Sequence, residues 1–115
     1  MVTRLTKGRL KVTISETRAE LGEVAAREVA AYIRSLLDTK PEVNIIFASA
    51  PSQNDFLANL LLEEIDWSRI NAFHMDEYIG IDPHAPQAFG QFLRDRIFSK
   101  KNFKSVNYIN SKAAD

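Results

Sequence analysis

The chain has 115 residues, with 15 Lys and Arg against 15 Asp and Glu, two His, no Cys, and 45% of its residues hydrophobic. That length holds one domain and not two, and a chain of this size can bury a core without disulfide or metal staples. The absence of cysteine removes thiol nucleophiles, thiolate zinc sites and redox pairs together, and a formal charge of zero leaves no excess of cations to replace the counterions of nucleic acid or an anionic membrane.

The start, Met1 to Lys7, is polar, and no stretch approaches the roughly 18 apolar residues of a spanning helix. The expectation is a soluble cytoplasmic protein with no nucleic-acid or membrane partner. Leu10-Lys11-Val12-Thr13-Ile14 alternates with the period of a strand that buries one face. Thr17 followed by Glu20 is a capping-box pattern, and Leu21, Val24, Ala25, Val29, Ile33, Leu36 and Leu37 then recur at helical spacing until Lys40-Pro41. Val43 to Ala48 is a short, β-branched apolar run, which suits a strand covered on both faces by helices.

A loop of small and polar residues follows, Ser49-Ala50-Pro51-Ser52-Gln53-Asn54, and behind it Phe56, Leu57, Leu60 and Leu61 mark a second helix ending near Glu64. Ile70 to Met75 reads as a third strand, leading into Asp76-Glu77-Tyr78 and a loop with Gly80, Pro83 and Pro86. Phe89, Phe92, Leu93 and Ile97 share one face of a third helix, and Val106 to Ile109 fits a fourth strand. The alternation gives an α/β class: a Rossmann-like open parallel sheet of about four strands with helices on both faces. Residues 1–115 form a single domain, and Ser111 to Asp115 read as the start of another crossover, so the chain reads as a piece of something longer. Such a half-sheet leaves apolar surface to cover, for which a homo-oligomer is the expected solution.

Ligands of open parallel sheets bind beyond the carboxyl ends of the strands, which singles out two loops. In the first, Ser49 and Ser52 offer hydroxyls and the following helix offers unpaired N–H groups, a combination suited to an anion such as phosphate. The plainer reading is that Ser52 or Asn54 only caps the helix, and no glycine-rich G-x-G-x-x-G fingerprint is present. In the second, Asp76 and Glu77 point to opposite sides of the strand end, so one should face the cleft and the other brace a loop. The bare pattern leaves general base, metal ligand and turn partner open for Asp76. His74 reads as a satisfied core or rim residue and His84 as a loop residue at the mouth of the site. Arg94, Arg96, Lys100, Lys101 and Lys104 read as cations favoured by a helix C-terminus.

The runs Ile46 to Leu57, Asp66-Trp67-Ser68-Arg69-Ile70, Phe73-His74-Met75-Asp76-Glu77-Tyr78-Ile79-Gly80, and Pro86 to Arg94 strongly resemble the N-terminal half of the glucosamine-6-phosphate deaminase (isomerase) family. The resemblance covers the chain from about residue 19 onward. It implies a Rossmann-like fold and conversion of glucosamine 6-phosphate to fructose 6-phosphate with release of ammonia, using no cofactor. It implies that Asp76 is the general base that moves a proton between C2 and C1, with Glu77 beside it in the catalytic element. It also implies that Ser49, Ala50, Ser52 and Gln53 hold the phosphate and hydroxyls of the sugar.

Two departures stand out. Ala50 and Pro51 replace the glycines common in that loop, and Pro51 has no N–H to donate. The family's ring-opening histidine and much of its basic phosphate clamp come from a segment with no counterpart here, so the short chain is expected to be inactive alone. Two other readings remain: a non-catalytic sugar-phosphate-binding module, which needs no base, and a 6-phosphogluconolactonase-like hydrolase, which does not need the Met-Asp-Glu-Tyr element.

Overall fold

The computed structural model describes residues 1–113; Ala114 and Asp115, the end of the segment read as a further crossover, lie outside the described residues. The first two elements are an antiparallel hairpin, β1 (Val2–Lys7) and β2 (Leu10–Ser15), with Val2 opposite Ser15 and Lys7 opposite Leu10. Gly8 has φ +60° and Arg9 does not share a positive φ, which is the type II′ arrangement of a two-residue hairpin turn. The strand expected over Leu10 to Ile14 is therefore present but does not enter the parallel sheet. A partner two residues away closes at far lower entropic cost than one reached by a crossover.

Helix α1 (Arg18–Leu37) starts as the capping pattern requires: Thr17 Oγ1 accepts from the Glu20 N–H at 3.1 Å. Glu20 Oε1 in turn accepts from the N–H of Glu16, one residue before the cap, at 3.1 Å. The buried stripe differs from the one hydrophobicity suggests. It runs through Gly22, Val24, Ala26, Ala30, Ile33 and Leu37, so Val24, Ile33 and Leu37 are buried as expected, while Leu21 and Val29 are 52% and 36% exposed. Small residues win that face because the helix α2 (Asn54–Leu60) lies against them. A Cβ built on Gly22 would stand 2.6 Å from Asp55 Cβ and 2.9 Å from the Phe56 nitrogen.

The consequence is testable. Gly22→Ala should gain up to about 1 kcal/mol of helix propensity and lose about 1–3 kcal/mol to overpacking, so denaturant melts should show a net loss of stability. A gain in the melting midpoint would mean that α1 and α2 part without cost.

The C-terminus of α1 is closed from a distance. The Arg69 guanidinium donates to the carbonyls of Leu37 at 2.7 Å, Pro41 at 2.9 Å and Lys40 at 2.5 Å, serving acceptors that a helix end leaves open. Arg69→Met is expected to cost about 1–2 kcal/mol, and Arg69→Lys to recover only part of it because an ammonium cannot fork across three carbonyls. Equal stability of the Lys and Arg forms in urea titration would argue against that role.

The parallel sheet has three strands in the order β3 (Val43–Phe47), β4 (Ile70–His74) and β5 (Ser105–Asn107), fewer than the four expected. Val43 pairs with Ile70, Phe47 with His74, and Ala72 with Val106. Between β4 and β5 run α3 (Phe89–Leu93) and a π-helical turn, Arg94–Phe98, which brings the successive residues Ile97 and Phe98 both into the core. One cluster joins Ala30 and Ile33 of α1, Phe47 of β3, Leu57 and Leu60 of α2, Ile70 and Ala72 of β4, and Leu93, Ile97 and Phe98. Phe47, Phe98 and Phe103 meet edge to face, with centroids 5.5 to 6.2 Å apart.

This core lies on one face of the sheet. The alternation of β3 places Val43 and Phe47 inside, but Asn44 and Ile46 are exposed, so the cover expected on both faces is found on one. No helix among the described residues is long and apolar enough to cross a membrane.

Candidate functional site

The register decides which loops are neighbours. Because Phe47 pairs with His74, the segments after β3 and β4 leave the sheet side by side, and the Met75 N–H continues the pairing onto the Phe47 carbonyl at 3.2 Å. Ser49 and Asp76 each stand two residues beyond that last pair. A crevice between adjacent parallel strands at their carboxyl ends is where such sheets take ligands.

The adjacent carboxylates part as the strand geometry requires. Asp76 is exposed, and its fixed contact is through the backbone: His74 Nε2 lies 2.5 Å from its carbonyl oxygen. The Glu77 side chain is only 4% exposed and turns inward. Its Oε1 accepts from the N–H groups of Phe89 at 2.9 Å and Tyr78 at 3.1 Å, and its Oε2 accepts from Gly90 at 2.9 Å. Phe89 and Gly90 open α3, whose own N-cap residue, Ala88, has no side chain that can accept. Glu77 therefore serves as a remote cap for α3 and ties the loop after β4 to it. Burial opposes its charge, but the N–H groups of Gly90, Phe89 and Tyr78, with His74 beside it, outweigh burial and hold its pKa below the ordinary carboxylate value.

His74 is 5% exposed and fully engaged. Its Nδ1 accepts from the Ile109 N–H at 3.2 Å, which assigns the proton to Nε2, the nitrogen facing the Asp76 carbonyl. It thus links β4, the Asp76 loop and the chain beyond β5, as a satisfied core histidine does. Gly90 sits tightly at this junction: a Cβ there would stand 3.2 Å from the His74 and Tyr108 rings, which would have to give by a few tenths of an ångström.

The first loop is split in its allegiance. Ser49 Oγ donates to the Phe89 carbonyl at 3.3 Å, so Ser49 and Glu77 grip the same residue from the two loops. Ala50 is extended, φ −162°, and its carbonyl accepts from the Gln53 N–H at 2.9 Å to form a 3-10 turn, Pro51–Gln53, with proline at its favoured first position. Ser52 and Gln53 line a recess of about 350 Å³ against α1, together with Arg18 and Gly22. Neither Ser52 nor Asn54 caps the following helix; Asn54 Oδ1 accepts from Arg96 Nε at 2.6 Å. Glu77, His84, Arg94 and Tyr108 border a separate recess of about 320 Å³. The structure thus joins Ser49 and Glu77 through Phe89, leaves the Asp76 side chain exposed, and places Ser52 and Gln53 on the α1 side of the loop.

Three of the basic residues in and after α3 have individual partners. Arg94 lies 4.7 Å over the Tyr108 ring and Arg96 3.8 Å over that of Phe92, while Lys104 pairs with Glu42. Packing on rings, more than a helix dipole, fixes the two arginines. Phe89 is the site residue that sequence reading missed, because its part is played by backbone atoms and leaves no side-chain signature. Among the described residues no three of His, Asp and Glu converge so as to hold a metal ion.

No family model matches the chain. Comparison with solved structures defines its class as the α/β fold shared by glucosamine-6-phosphate deaminases and 6-phosphogluconolactonases. A monomeric glucosamine-6-phosphate deaminase superposes with TM-score 0.74 at 24% identity, over 88% of this chain and 43% of that one. The 6-phosphogluconolactonase of Thermotoga maritima superposes with TM-score 0.72 at 17% identity, over 78% of this chain and 42% of that one. Within that class the chain is similar in sequence to glucosamine-6-phosphate deaminases: it is 29% identical over 102 residues to the enzyme of that name from Clostridium tetani, covering 85% of this chain and 41% of that protein. It therefore spans about two fifths of the length of these proteins.

Proposed function

We propose that this chain is the amino-terminal, base-bearing half of a glucosamine-6-phosphate deaminase-type domain, and that Asp76 moves a proton between C2 and C1 of the open-chain amino sugar phosphate during isomerisation and ammonia release. The observation that carries the reading is the division of labour at the end of β4. Glu77 is consumed by three backbone N–H groups, while the neighbouring Asp76 is exposed, two residues beyond the Phe47–His74 pair on the strand next to the one that leads into the Ser49 loop. A carboxylate within reach of a substrate carbon can carry the proton without help, as general base on one carbon and general acid on the next.

In this reading the Ser49–Gln53 loop holds the phosphate and hydroxyls of the sugar. With Pro51 in place of a donor, the contacts fall to the Ser49 hydroxyl, which must give up its bond to the Phe89 carbonyl, and to the Ser52 hydroxyl and Gln53 amide, which must turn from the α1 side of the loop. Glu77 is a positioning residue, holding the loop that carries Asp76 against α3. The reaction moves a proton from C2 to C1, and water then hydrolyses the resulting C2 imine to the ketone with release of ammonia; the proton transfer assigned to Asp76 needs no cofactor.

The isolated 115-residue chain is expected to release no ammonia from glucosamine 6-phosphate in a coupled assay, whereas the full-length protein should release it; normal turnover by the short chain would overturn the assignment to a half-site. Hydrolysis of 6-phosphogluconolactone by the full-length protein, without ammonia release from the amino sugar, would instead favour the lactonase chemistry of the second structural neighbour.

A further inference from the structure

His74 is a buried titratable group that the proposed reaction leaves unused. Its side chain is 1% exposed, and several elements close around the ring. Gly90 of α3 lies against Cε1, where a Cβ would stand at 3.2 Å, and the Tyr108 ring meets the imidazole edge to face with centroids 6.0 Å apart. Two charged groups are near. Glu77, on the loop after β4, places Oε2 3.5 Å from Nε2, and Arg94 of the π-helical turn lies 4.7 Å over the Tyr108 ring. His84 borders the same recess.

The two ring nitrogens do different work. Nε2 faces the Asp76 carbonyl at 2.5 Å, and Nδ1 faces the Ile109 N–H at 3.2 Å. A carbonyl asks for a donor and an N–H for an acceptor, so only the neutral ring with its proton on Nε2 makes both bonds. The other tautomer would set two N–H groups together at one end and two acceptors at the other. The imidazolium would keep the bond to Asp76 and lose the one to Ile109. In a wall closed to solvent, either change leaves a buried polar group unpaired.

The bond to Asp76 is the one that bears on chemistry. Among the described residues it is the only hydrogen bond made to the Asp76 backbone. The pairing of β4 with β3 ends one residue earlier, with the Met75 N–H on the Phe47 carbonyl. One residue later Glu77 turns away to the start of α3. The exposed Asp76 carboxylate therefore stands on a backbone that is held in place by the His74 ring. A reacting group misplaced by about 1 Å costs about 10²-fold in rate.

We propose that His74, as the neutral imidazole that donates from Nε2, is a positioning residue for the proton transfer: it fixes the backbone of Asp76 and so sets where the carboxylate meets the sugar carbon. The role rests on the reading of Asp76 as the base.

The 115-residue chain itself tests the first half, by the ring nitrogen shifts of ¹⁵N-labelled histidine. The chain has two histidines, and His84→Gln assigns them. At about pH 8, above the ordinary imidazole pKa of about 6.5, His74 should show a protonated Nε2 and a bare Nδ1. A proton on Nδ1 overturns the proposal.

A protein that carries the complete domain tests the second half. His74→Phe keeps a ring in the wall and removes both bonds, and His74→Gln returns a donor near the place of Nε2. His74→Phe should lower kcat for ammonia release by about 10–100-fold and leave KM within about threefold. His74→Gln should recover at least half of that loss on a logarithmic scale. Added to Asp76→Asn, His74→Phe should cost about twofold or less, because no base is left to place.

The same loss in the Asp76→Asn background, a loss carried by KM, or no recovery by glutamine would each make His74 a residue of the fold alone and overturn the proposal. If melting shows His74→Phe unfolded, His74→Gln decides: a loss of less than about tenfold supports the role, and a larger one in a folded variant overturns it. Ammonia release that survives Asp76→Asn would sink the base and this role with it. Release that is lost on Asp76→Asn and unmoved by His74→Phe would sink this role and spare the base.

Discussion

On the proposed reading, Asp76→Asn in a protein that carries the complete domain is expected to lower ammonia release from glucosamine 6-phosphate by about 10²–10⁴-fold, the usual contribution of a positioned general base. The amide is close in size to the carboxylate but cannot accept the proton from C2. The loss should fall on kcat and kcat/KM together, because proton transfer belongs to the transition state and contributes little to ground-state binding. Thermal stability should change little: the side chain is exposed, and the structural contact of Asp76 runs through its carbonyl to His74, which asparagine retains. A variant that keeps its melting temperature and loses turnover fits a base. One that keeps both would remove Asp76 from the chemistry.

Glu77→Gln is expected to behave in the opposite way, with stability falling first. The carboxylate accepts from three N–H groups inside a wall that is nearly closed to solvent. An amide has one oxygen to offer and must turn its NH₂ towards a donor, leaving an N–H at the start of α3 unpaired. The cost of such a buried, unsatisfied group is about 1–3 kcal/mol.

The pH dependence has a definite sign. The pKa of Glu77 is depressed in the folded chain, so its contribution is complete above the ordinary carboxylate value of about 4.3 and is lost as the pH falls from there through the folded-state pKa. The stability gap between the native chain and Glu77→Gln should therefore be widest near neutrality and should narrow in acid. Urea titrations across that range read it directly. A gap that stays constant with pH would mean that the carboxylate acts by shape and not by charge. Because Glu77 holds the loop that carries Asp76, some turnover should be lost as well, and Asp76→Asn added to Glu77→Gln should lose less than the product of the two separate effects.

Much of this protein was legible in its residues because the signals were local. The Thr17–Glu20 cap, the breaking Lys40-Pro41, the apolar β-branched run at Val43 and the small polar loop behind it each act within a few positions, where propensity and hydrogen bonding operate. The division between Asp76 and Glu77 was also local in origin, since successive side chains at a strand end point to opposite sides. Which of the two turns inward was not, because the three donors that capture Glu77 include the start of a helix twelve residues further on.

Other features followed the same rule. The parallel partner expected for Leu10 to Ile14 was displaced by Gly8, whose positive φ gave that strand a nearer one. Leu21 was left outside in α1 while its small neighbour Gly22 was buried, because only there can α2 approach closely.

The sequence by itself determined the class of the fold, the identity of most elements and the two loops worth inspecting, since these depend on periodicity, caps and residue type. The tertiary structure alone decided that Ser49 and Glu77 meet at Phe89, that Ser52 and Gln53 turn towards α1, and that one face of the sheet is bare. Those outcomes depend on strand register and on contacts between residues far apart in the chain, where steric fit and desolvation act on pairs that no local pattern can join.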